Sequence, residues 1–407
     1  MAHIVPFRAL RPTPEVANQV ASVPYDVVNR KEAAELAFDN PLSFLHVSRS
    51  EIDLPESVDP YSDAVYETAT TNFMKLRQDA PLVVEEEPSL YFYRLRMGSH
   101  EQIGVVGCYS IDDYDQDLIK KHERTRRDKE DDRTRHIVSL RAQTGPVFLT
   151  YRASSEIDDE ATRVISTTPI FDLVAVDGVQ HTIWRLDSEA STRLVQAFSK
   201  VPALYIADGH HRAASAARAR QELREREAGG ADVAAYNTFL GVAFPGNQMQ
   251  ILPYNRIVKD LAGLSSKEFL ARVGEAFELN EGSSSPTRKG ELAMFLDGTW
   301  HQLLPKSEVV VSGTAGLDVS VLQEKLLEPI LGITDVRTDK RIGFVGGVRG
   351  AVELEKLVES GEAAVAFSMF PVTIEDLLSV SDANGIMPPK STWFEPKLRD
   401  GLLIHEI

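Results

Sequence analysis

The sequence predicts a mixed α/β (α+β) protein with a mixed sheet at its core. Strand-like and helix-like patterns alternate between residues 90 and 255, which is typical of a sheet covered by helices. Residues 203–207 have strand character and run through Asp-Gly into an alanine-rich helical pattern at 213–228, which Gly229-Gly230 would end. The hydrophobic fraction of 43% and the charged fraction of 26% are ordinary for a globular protein.

Residues 1–111 predict a strand, a helix and a hairpin. The strand is expected at 43–47. Between residues 60 and 79, apolar residues recur at helical spacing. Two strand-like runs, 90–97 and 103–111, are joined by Gly98-Ser99-His100, which predicts a hairpin.

The sequence after residue 111 predicts more strands up to residue 258, and a mixture of helices and strands after it. The strands before that point are expected at 147–151, 170–175, 180–186, 239–244 and 249–253. The later elements are a helix at 265–277 opened by a capping box, a hairpin at 292–304, a helix at 317–331 and a strand at 363–369.

A chain of 407 residues is long enough for two or three regions. We expect an N-terminal α+β region at 1–99 that packs on a core at 100–258. A C-terminal α+β region with a proline-rich tail follows at 259–407.

The composition limits the classes of function. The formal net charge of −17 opposes binding to the phosphate backbone, so no nucleic-acid partner is expected. No apolar run is long enough for a bilayer, and the N-terminus lacks the features of a signal peptide. The single cysteine, Cys108, excludes a disulfide framework. We expect a cytoplasmic protein that binds small molecules, with a homodimer as one option for its assembly.

The residues that follow the predicted strand at 203–207 have the pattern of an anion site. A helix that starts directly after a strand presents its first backbone N–H groups and the positive end of its dipole. Gly209 allows a ligand to approach the backbone, and Arg212 can grip a phosphate with its forked guanidinium. In the alternative interpretation, Asp208 only caps the helix, and His210 and His211 are surface residues.

The segment at 120–136 carries eight lysines and arginines and five aspartates and glutamates. One interpretation is a solvated helix with opposite-charge pairs. We favour a loop ordered by a polyphosphate, because the segment has almost no apolar face. Lys129, Arg133 and Arg135 would then neutralise the phosphates. Glu123 and Asp132 are carboxylates suited to proton transfer or to Mg²⁺.

An aromatic residue and an acid, Tyr25 and Asp26, follow Pro24 near the N-terminus. The structural interpretation is a proline turn in which Asp26 bonds nearby backbone. The functional interpretation is a contact to substrate.

Several chemistries lack their residues in this sequence. There is no cysteine in the 208–212 turn, no Gly-x-Ser-x-Gly elbow, no Walker phosphate loop and no Rossmann glycine fingerprint. Adjacent helical residues such as His210 and His211 point about 100° apart, which disfavours a zinc site made from that pair. A phosphate-binding turn with a carboxylate nearby is the minimal equipment for phosphoryl transfer.

The chain resembles the domain of unknown function family 1015 over nearly its whole length. Four motifs carry the resemblance in order, at residues 23–27, 121–125, 205–212 and 387–397. The core at roughly 100–255 also resembles the ParB/sulfiredoxin-like fold and, within it, the free serine kinases. Those enzymes carry a His-Glu-Thr-like segment and an Asp-Gly-x-His-Arg turn.

The resemblance to serine kinases implies roles for particular residues. Glu123 would be the general base, with Asp208 and His211 as further catalytic residues and Asp208 as the Mg²⁺ ligand. In the turn, Gly209, His210 and Arg212 would hold the phosphates of the nucleotide. His210 stands where sulfiredoxin-like members have cysteine, which excludes sulfinic acid reduction.

Further expectations come from the residues themselves. Tyr25 and Asp26 are expected to contact the substrate. The other expected nucleotide and phosphate contacts are His122, Thr125, Lys129, Arg133 and Arg135.

We therefore expect a nucleotide-dependent phosphotransferase, a small-molecule kinase that uses ATP or ADP with Mg²⁺. Free L-serine, converted to O-phosphoserine, is the first candidate acceptor. The alternatives are a non-catalytic ParB-like regulatory protein that binds nucleotide, and a phosphate-monoester hydrolase that uses the same turn.

Overall fold

The computed structural model describes residues 1–227, 234–306 and 313–407. Contacts group the chain into two compact units, one made of Met1–Met249 with Pro396–Ile407 and the other of Gln250–Glu395. The division into regions 1–99, 100–258 and 259–407 stays a prediction. The expected helix stop at Gly229-Gly230 lies outside the described residues.

The strands are short to medium in length. In chain order they are β1 (Ile4–Val5), β2 (Leu10–Pro12), β3 (Leu82–Val84), β4 (Tyr91–Met97), β5 (His100–Ser110), β6 (Ile119–Lys120), β7 (Ala142–Gln143), β8 (Val147–Tyr151), β9 (Phe171–Val174), β10 (Gln180–Arg185), β11 (Leu204–Asp208), β12 (Thr238–Pro245), β13 (Gln250–Leu252), β14 (Tyr254–Val258), β15 (Phe277–Glu281), β16 (Leu292–Leu296), β17 (Thr299–Pro305), β18 (Ile342–Gly346), β19 (Val365–Met369), β20 (Trp393–Glu395) and β21 (His405–Glu406).

The α-helices are interspersed with these strands. In chain order they are α1 (Ala17–Val20), α2 (Arg30–Ala37), α3 (Leu45–Ser48), α4 (Asp63–Asp79), α5 (Ile111–Asp115), α6 (Arg127–Leu140), α7 (Ser155–Val164), α8 (Ser188–Phe198), α9 (His210–Arg226), α10 (Ser266–Ala276), α11 (Asp318–Leu322), α12 (Glu328–Leu331), α13 (Gly350–Glu359) and α14 (Ile374–Asp382). A π-helical stretch, Gln323–Leu327, joins α11 to α12.

The first unit is built on a nine-stranded sheet in the order β6-β11-β8-β12-β5-β4-β10-β9, with β1 paired to β5. The pairs β6–β11 and β8–β12 are parallel, and the other pairs are antiparallel. The sheet is therefore mixed, and the predicted α/β class is confirmed.

Helix α9 packs on this sheet through small residues. Ala213, Ala216 and Ala219 are buried in the same core as Ile206 of β11 and Ala243 of β12. Burial of these alanines and of the strand side chains stabilises the arrangement by removing apolar surface from water. It also fixes the start of α9 at the end of β11.

The expectation of a loop at 120–136 is wrong from Arg127 onward, where the structure has helix α6. Its C-terminal half has an apolar side, on which Ile137, Val138 and Leu140 are buried. Its charges find partners on other elements: Glu130 and Asp131 pair with Arg218 of α9. Such partners come from distant positions, so local sequence could not indicate them.

A second expectation is wrong at residues 43–47, where the structure has helix α3 instead of a strand. Phe44, Leu45 and Val47 are all buried. A short apolar run fits a buried helix as well as a strand, because its periodicity does not separate the two. The hairpin predicted for 90–111 is confirmed as β4 and β5.

The second unit contains a six-stranded antiparallel sheet in the order β15-β17-β16-β19-β14-β18. The predicted capping box is present, with Ser265 and Glu268 bonding each other's backbone at the start of α10. The predicted hairpin is β16 and β17, and it turns at Asp297 and Gly298 with φ of 47° and 78°. A separate two-stranded pair joins β13 to β20.

Among the described residues, none of the helices combines the length and apolar character needed to cross a membrane.

Candidate functional site

The turn between β11 and α9 depends on Gly209. This residue has φ of 94° and ψ of 29°, a left-handed conformation that strongly favours glycine. In the described part of the chain, no side chain caps α9, and its first turn contains no acidic residue. The first helical bond runs from the Ala213 N–H to the Gly209 carbonyl. The N–H groups before Ala213 therefore lie at an uncapped, positively polarised helix end, as the anion-site interpretation requires.

Asp208 faces Lys397 rather than capping the helix. One carboxylate oxygen accepts from the Gly209 N–H and the other from the Lys397 ammonium, each at 2.8 Å. Burial raises the pKa of Asp208, but the charges of Lys397 and Arg212 outweigh that effect and hold its pKa below the ordinary value. Asp208 is thus an ionised carboxylate in a mostly buried ion pair.

Two histidines and Glu123 come together at the start of α9. Strand β6 runs parallel to β11, which brings the residues that follow β6 to the helix start. The rings of His122 and His210 meet edge to face at 4.4 Å between centroids, and the His122 N–H lies 3.4 Å from His210 Nε2. One ligand atom from each of His122, Glu123 and His210 lies within 4.8 Å of the others.

Both imidazoles of this group are neutral. Burial lowers the pKa of His122 to about 4 and that of His210 well below its ordinary value. Neutral imidazole with a carboxylate is a donor set suited to a transition metal, whereas Mg²⁺ prefers oxygen ligands alone. Among the described residues, His122 Nδ1 is buried without a hydrogen-bond partner, so this group could hold a metal ion.

The two residues after His210 face different neighbours. His211 Nε2 accepts from the Arg126 N–H at 3.0 Å, at the entrance to α6. Arg212 donates to the Pro146 carbonyl at 2.6 Å and to both oxygens of Asp26 at 3.2 Å. Its terminal nitrogens are therefore engaged by protein groups, although its charge still acts on Asp208.

The predicted phosphate contacts of the charged segment have protein partners, and Lys129 and Arg133 line one pocket with Tyr61. Thr125 donates to Glu130. Lys129 donates to the Tyr61 hydroxyl at 2.8 Å. Burial lowers the pKa of His211, and the charges of Arg126 and Lys129 add to this effect. Arg135 bonds the Tyr61 carbonyl and Asp63. Lys129 and Arg135 thus share Tyr61, just before α4, as a partner.

The remaining predicted residues lie around Arg212. Asp26 is its ion-pair partner. Tyr25 is buried, and the guanidinium of Arg133 lies 4.3 Å from the centre of its ring. Arg133 in turn donates to Asp132 at 2.9 Å.

Sequence reasoning missed two charged residues of this region, Lys397 and Asp400. Lys397 belongs to the motif at 387–397, for which the sequence predicts a proline-rich tail and a family signature but no site residue. Asp400 is 2% exposed, and its backbone pairs with Ser22. Neither the spacing nor the composition of the sequence singles out Asp400.

The family model described as "Protein of unknown function (DUF1015)" matches residues 4–320. The chain belongs to this family. A comparison of this DUF1015 protein with curated proteins finds no match.

Solved structures similar to this DUF1015 protein share little of its sequence. A free serine kinase in complex with AMP is 13% identical, with 72% of this chain and 86% of that chain covered and a TM-score of 0.35. A conserved hypothetical protein from Pyrococcus furiosus is 15% identical, with 73% and 94% covered and a TM-score of 0.35. SbnI with a C-terminal truncation, from Staphylococcus aureus, is 12% identical, with 71% and 82% covered and a TM-score of 0.37.

Proposed function

We propose that this protein is a nucleotide-dependent phosphotransferase that acts on a small hydroxyl substrate, with free L-serine as the first acceptor to test. One observation carries the proposal. Glu123 lies at the uncapped start of α9, within 4.8 Å of His210, the first residue of that helix. A carboxylate beside an anion-binding helix end supplies a proton acceptor next to the phosphate.

In this proposal the backbone N–H groups at the start of α9 hold the phosphate that is transferred. Lys397 and Lys129 contribute positive charge, and His211 is a further phosphate contact. The substrate hydroxyl oxygen forms a bond to the terminal phosphorus while the bond to the leaving nucleotide oxygen breaks. Glu123 takes the hydroxyl proton. Positioning and charge neutralisation provide most of the rate enhancement in this class of reaction.

The turn offers one carboxylate to Mg²⁺, that of Asp208, whose oxygens already accept from the Gly209 N–H and from Lys397. Asp208 is the proposed metal ligand, and it is ionised because of Lys397 and Arg212. A bound Mg²⁺ would supply neutralisation of phosphate charge. Lys397 would then share Asp208 with the metal, since it already bonds one of the carboxylate oxygens.

The test is to incubate the full chain with Mg²⁺, L-serine and either ATP or ADP, and to follow phosphoserine by mass spectrometry and phosphorus NMR. We expect phosphoserine to accumulate with one of the nucleotides. Nucleotide binding without any product would contradict the proposal and favour the regulatory alternative. Release of inorganic phosphate from phosphoserine in the absence of nucleotide would favour the hydrolase.

A further inference from the structure

A cavity of about 40 Å³ with a mixed polar and apolar lining lies in the first unit, and Arg212 and Asp400 are both among its lining residues. Its charged and polar lining residues include Tyr25, Ser48, Arg133, His136, Arg212 and Asp400. A water needs roughly 10–15 Å³ by the same measure. The cavity by itself therefore has room for about three waters, so a ligand the size of an amino acid must extend beyond it.

Four buried polar atoms of this lining have no hydrogen-bond partner among the described residues. They are Ser48 Oγ, His136 Nε2, Arg212 Nε and Asp400 Oδ1. The four residues are between 2% and 8% exposed. Buried polar atoms are nearly always paired, so four unpaired atoms around one cavity indicate that polar groups of a ligand or of water meet them there.

The cavity lining carries a positive charge on Arg212 and an acidic group on Asp400, and different contacts hold each of them in place. Arg212 is oriented by Pro146 and Asp26, which leaves its Nε for the cavity. Asp400 is fixed through its backbone, which exchanges two hydrogen bonds with Ser22 at 2.9 and 3.1 Å. A β-carbon on Gly145 would lie 2.8 Å from Asp400 Oδ1, so the chain passes close to this carboxylate only as glycine.

A purely structural role leaves the carboxylate of Asp400 poorly explained. Burying an ionised carboxylate without a direct partner is unfavourable. Among the described residues, Asp400 Oδ1 has no hydrogen-bond partner. Burial raises the pKa of Asp400 to about 7, although the charges of Arg212 and Arg133 act to lower it. A ligand that brings its own cation to Asp400 and its own anion to Arg212 would satisfy both groups.

We propose that this cavity binds a small zwitterion, an α-amino acid, with its ammonium group at Asp400 and its carboxylate at Arg212. His136 and Ser48 are left for water or for a further polar group of the ligand. A larger pocket of about 220 Å³ shares Tyr25, Ser48, Arg133 and His136 with the cavity and offers a route of entry. Naming the ligand as the phosphate acceptor rests on the proposed function, whereas the binding itself does not.

The first experiment measures binding to the full chain by calorimetry in the absence of nucleotide, so that it is independent of turnover. The probes are L-serine, ethanolamine, which lacks the carboxylate, and 3-hydroxypropionate, which lacks the ammonium group. We expect L-serine to bind at least ten times more tightly than either analogue. Equal affinity for the three probes, or no binding of L-serine, would overturn the inference.

The second experiment places the binding in this cavity. Asp400→Asn should weaken L-serine binding at least tenfold, and the exposed control Asp39→Asn should leave it unchanged. Unaltered L-serine affinity in Asp400→Asn would overturn the inference. If that variant does not fold, the comparison of the three probes on the unaltered protein still decides the question.

Different results would contradict the proposed function and the proposed zwitterion site. Binding of L-serine without phosphoserine formation keeps the zwitterion site and removes the kinase. Phosphoserine formation with an unchanged KM for serine in Asp400→Asn keeps the kinase and removes the zwitterion site.

Discussion

His210, His211 and Arg212 are consecutive residues with three separate surroundings. His210 meets His122 and Glu123, His211 accepts from the backbone of Arg126, and Arg212 bonds Asp26 and Pro146. The sequence predicted a functional role for this turn, because two histidines and an arginine follow Asp-Gly. It did not indicate these surroundings, since every partner lies at least 60 residues away in the chain.

The ion pair between Asp208 and Lys397 should matter for stability. Their side chains are 28% and 13% exposed. Lys397→Met leaves a partly buried carboxylate without its cation, and we expect a loss of about 3 kcal/mol in the free energy of unfolding. The double variant with Asp208→Asn should lose clearly less than the sum of the single changes, because neither charge is then left alone. Denaturant unfolding of the four proteins measures this, and strictly additive losses would contradict the account.

At the scale of elements, strands and helices with strong patterns were predictable. The capping box at Ser265, the hairpin β16–β17 and strand β8 all lie where the sequence placed them. For α6 the sequence analysis favoured a loop over a helix, and for α3 it predicted a strand. The charged half of α6 is held by Arg218, Tyr66 and Asp63 from other helices, and the four residues of α3 are too few to show a period.

The geometry of the β11–α9 turn gives a prediction at this scale. Gly209→Ala forces a β-carbon into a left-handed conformation, which costs about 1–2 kcal/mol. It should also shift the first N–H groups of α9, so nucleotide affinity should fall at least tenfold. Gly178→Ala is a matched control, because Gly178 has φ of 79° in a turn between β9 and β10 with nothing within 4 Å of an added β-carbon.

Both variants should lose similar stability in denaturant unfolding, but only Gly209→Ala should weaken nucleotide binding in a calorimetric titration. A nucleotide affinity that Gly209→Ala does not alter would exclude the helix end as the phosphate site.

For the whole molecule, long-range pairing decides what the sequence could not show. Asp208 and Lys397 are 189 residues apart, and Arg212 and Asp26 are 186 apart. Such pairs leave no periodic signal, whereas the sheet and helices come from local patterns of apolar residues. The fold class could therefore be predicted from the sequence. The residues of the candidate site could be predicted only where one motif contains several of them.

Buried neutral histidines predict how stability depends on pH. Burial lowers the pKa of His122 to about 4 and the pKa of His136 and His181 to about 3. The unfolded chain binds these protons near pH 6.5, so the stabilising contribution is complete above that pH and is lost as the pH falls toward the folded-state pKa. Each such histidine should lower the free energy of unfolding by about 2 kcal/mol between pH 7 and pH 5.

Denaturant unfolding at pH 7, 6 and 5 measures this fall. His181→Gln should reduce it, and His3→Gln should not, since the side chain of His3 is 69% exposed. A stability that stays constant over this range would mean that these histidines are not neutral and buried in the folded protein.

The measurement that tests the central claim most directly compares catalysis with nucleotide binding in Glu123→Gln. We expect phosphoserine formation to fall by at least 10²-fold, because the proton acceptor is lost, while the dissociation constant for the nucleotide changes by less than about threefold. Glu35→Gln, an exposed change on α2, should alter neither quantity. If Glu123→Gln keeps full turnover, or loses nucleotide binding in the same proportion as turnover, Glu123 is not the base and the account of this site is wrong.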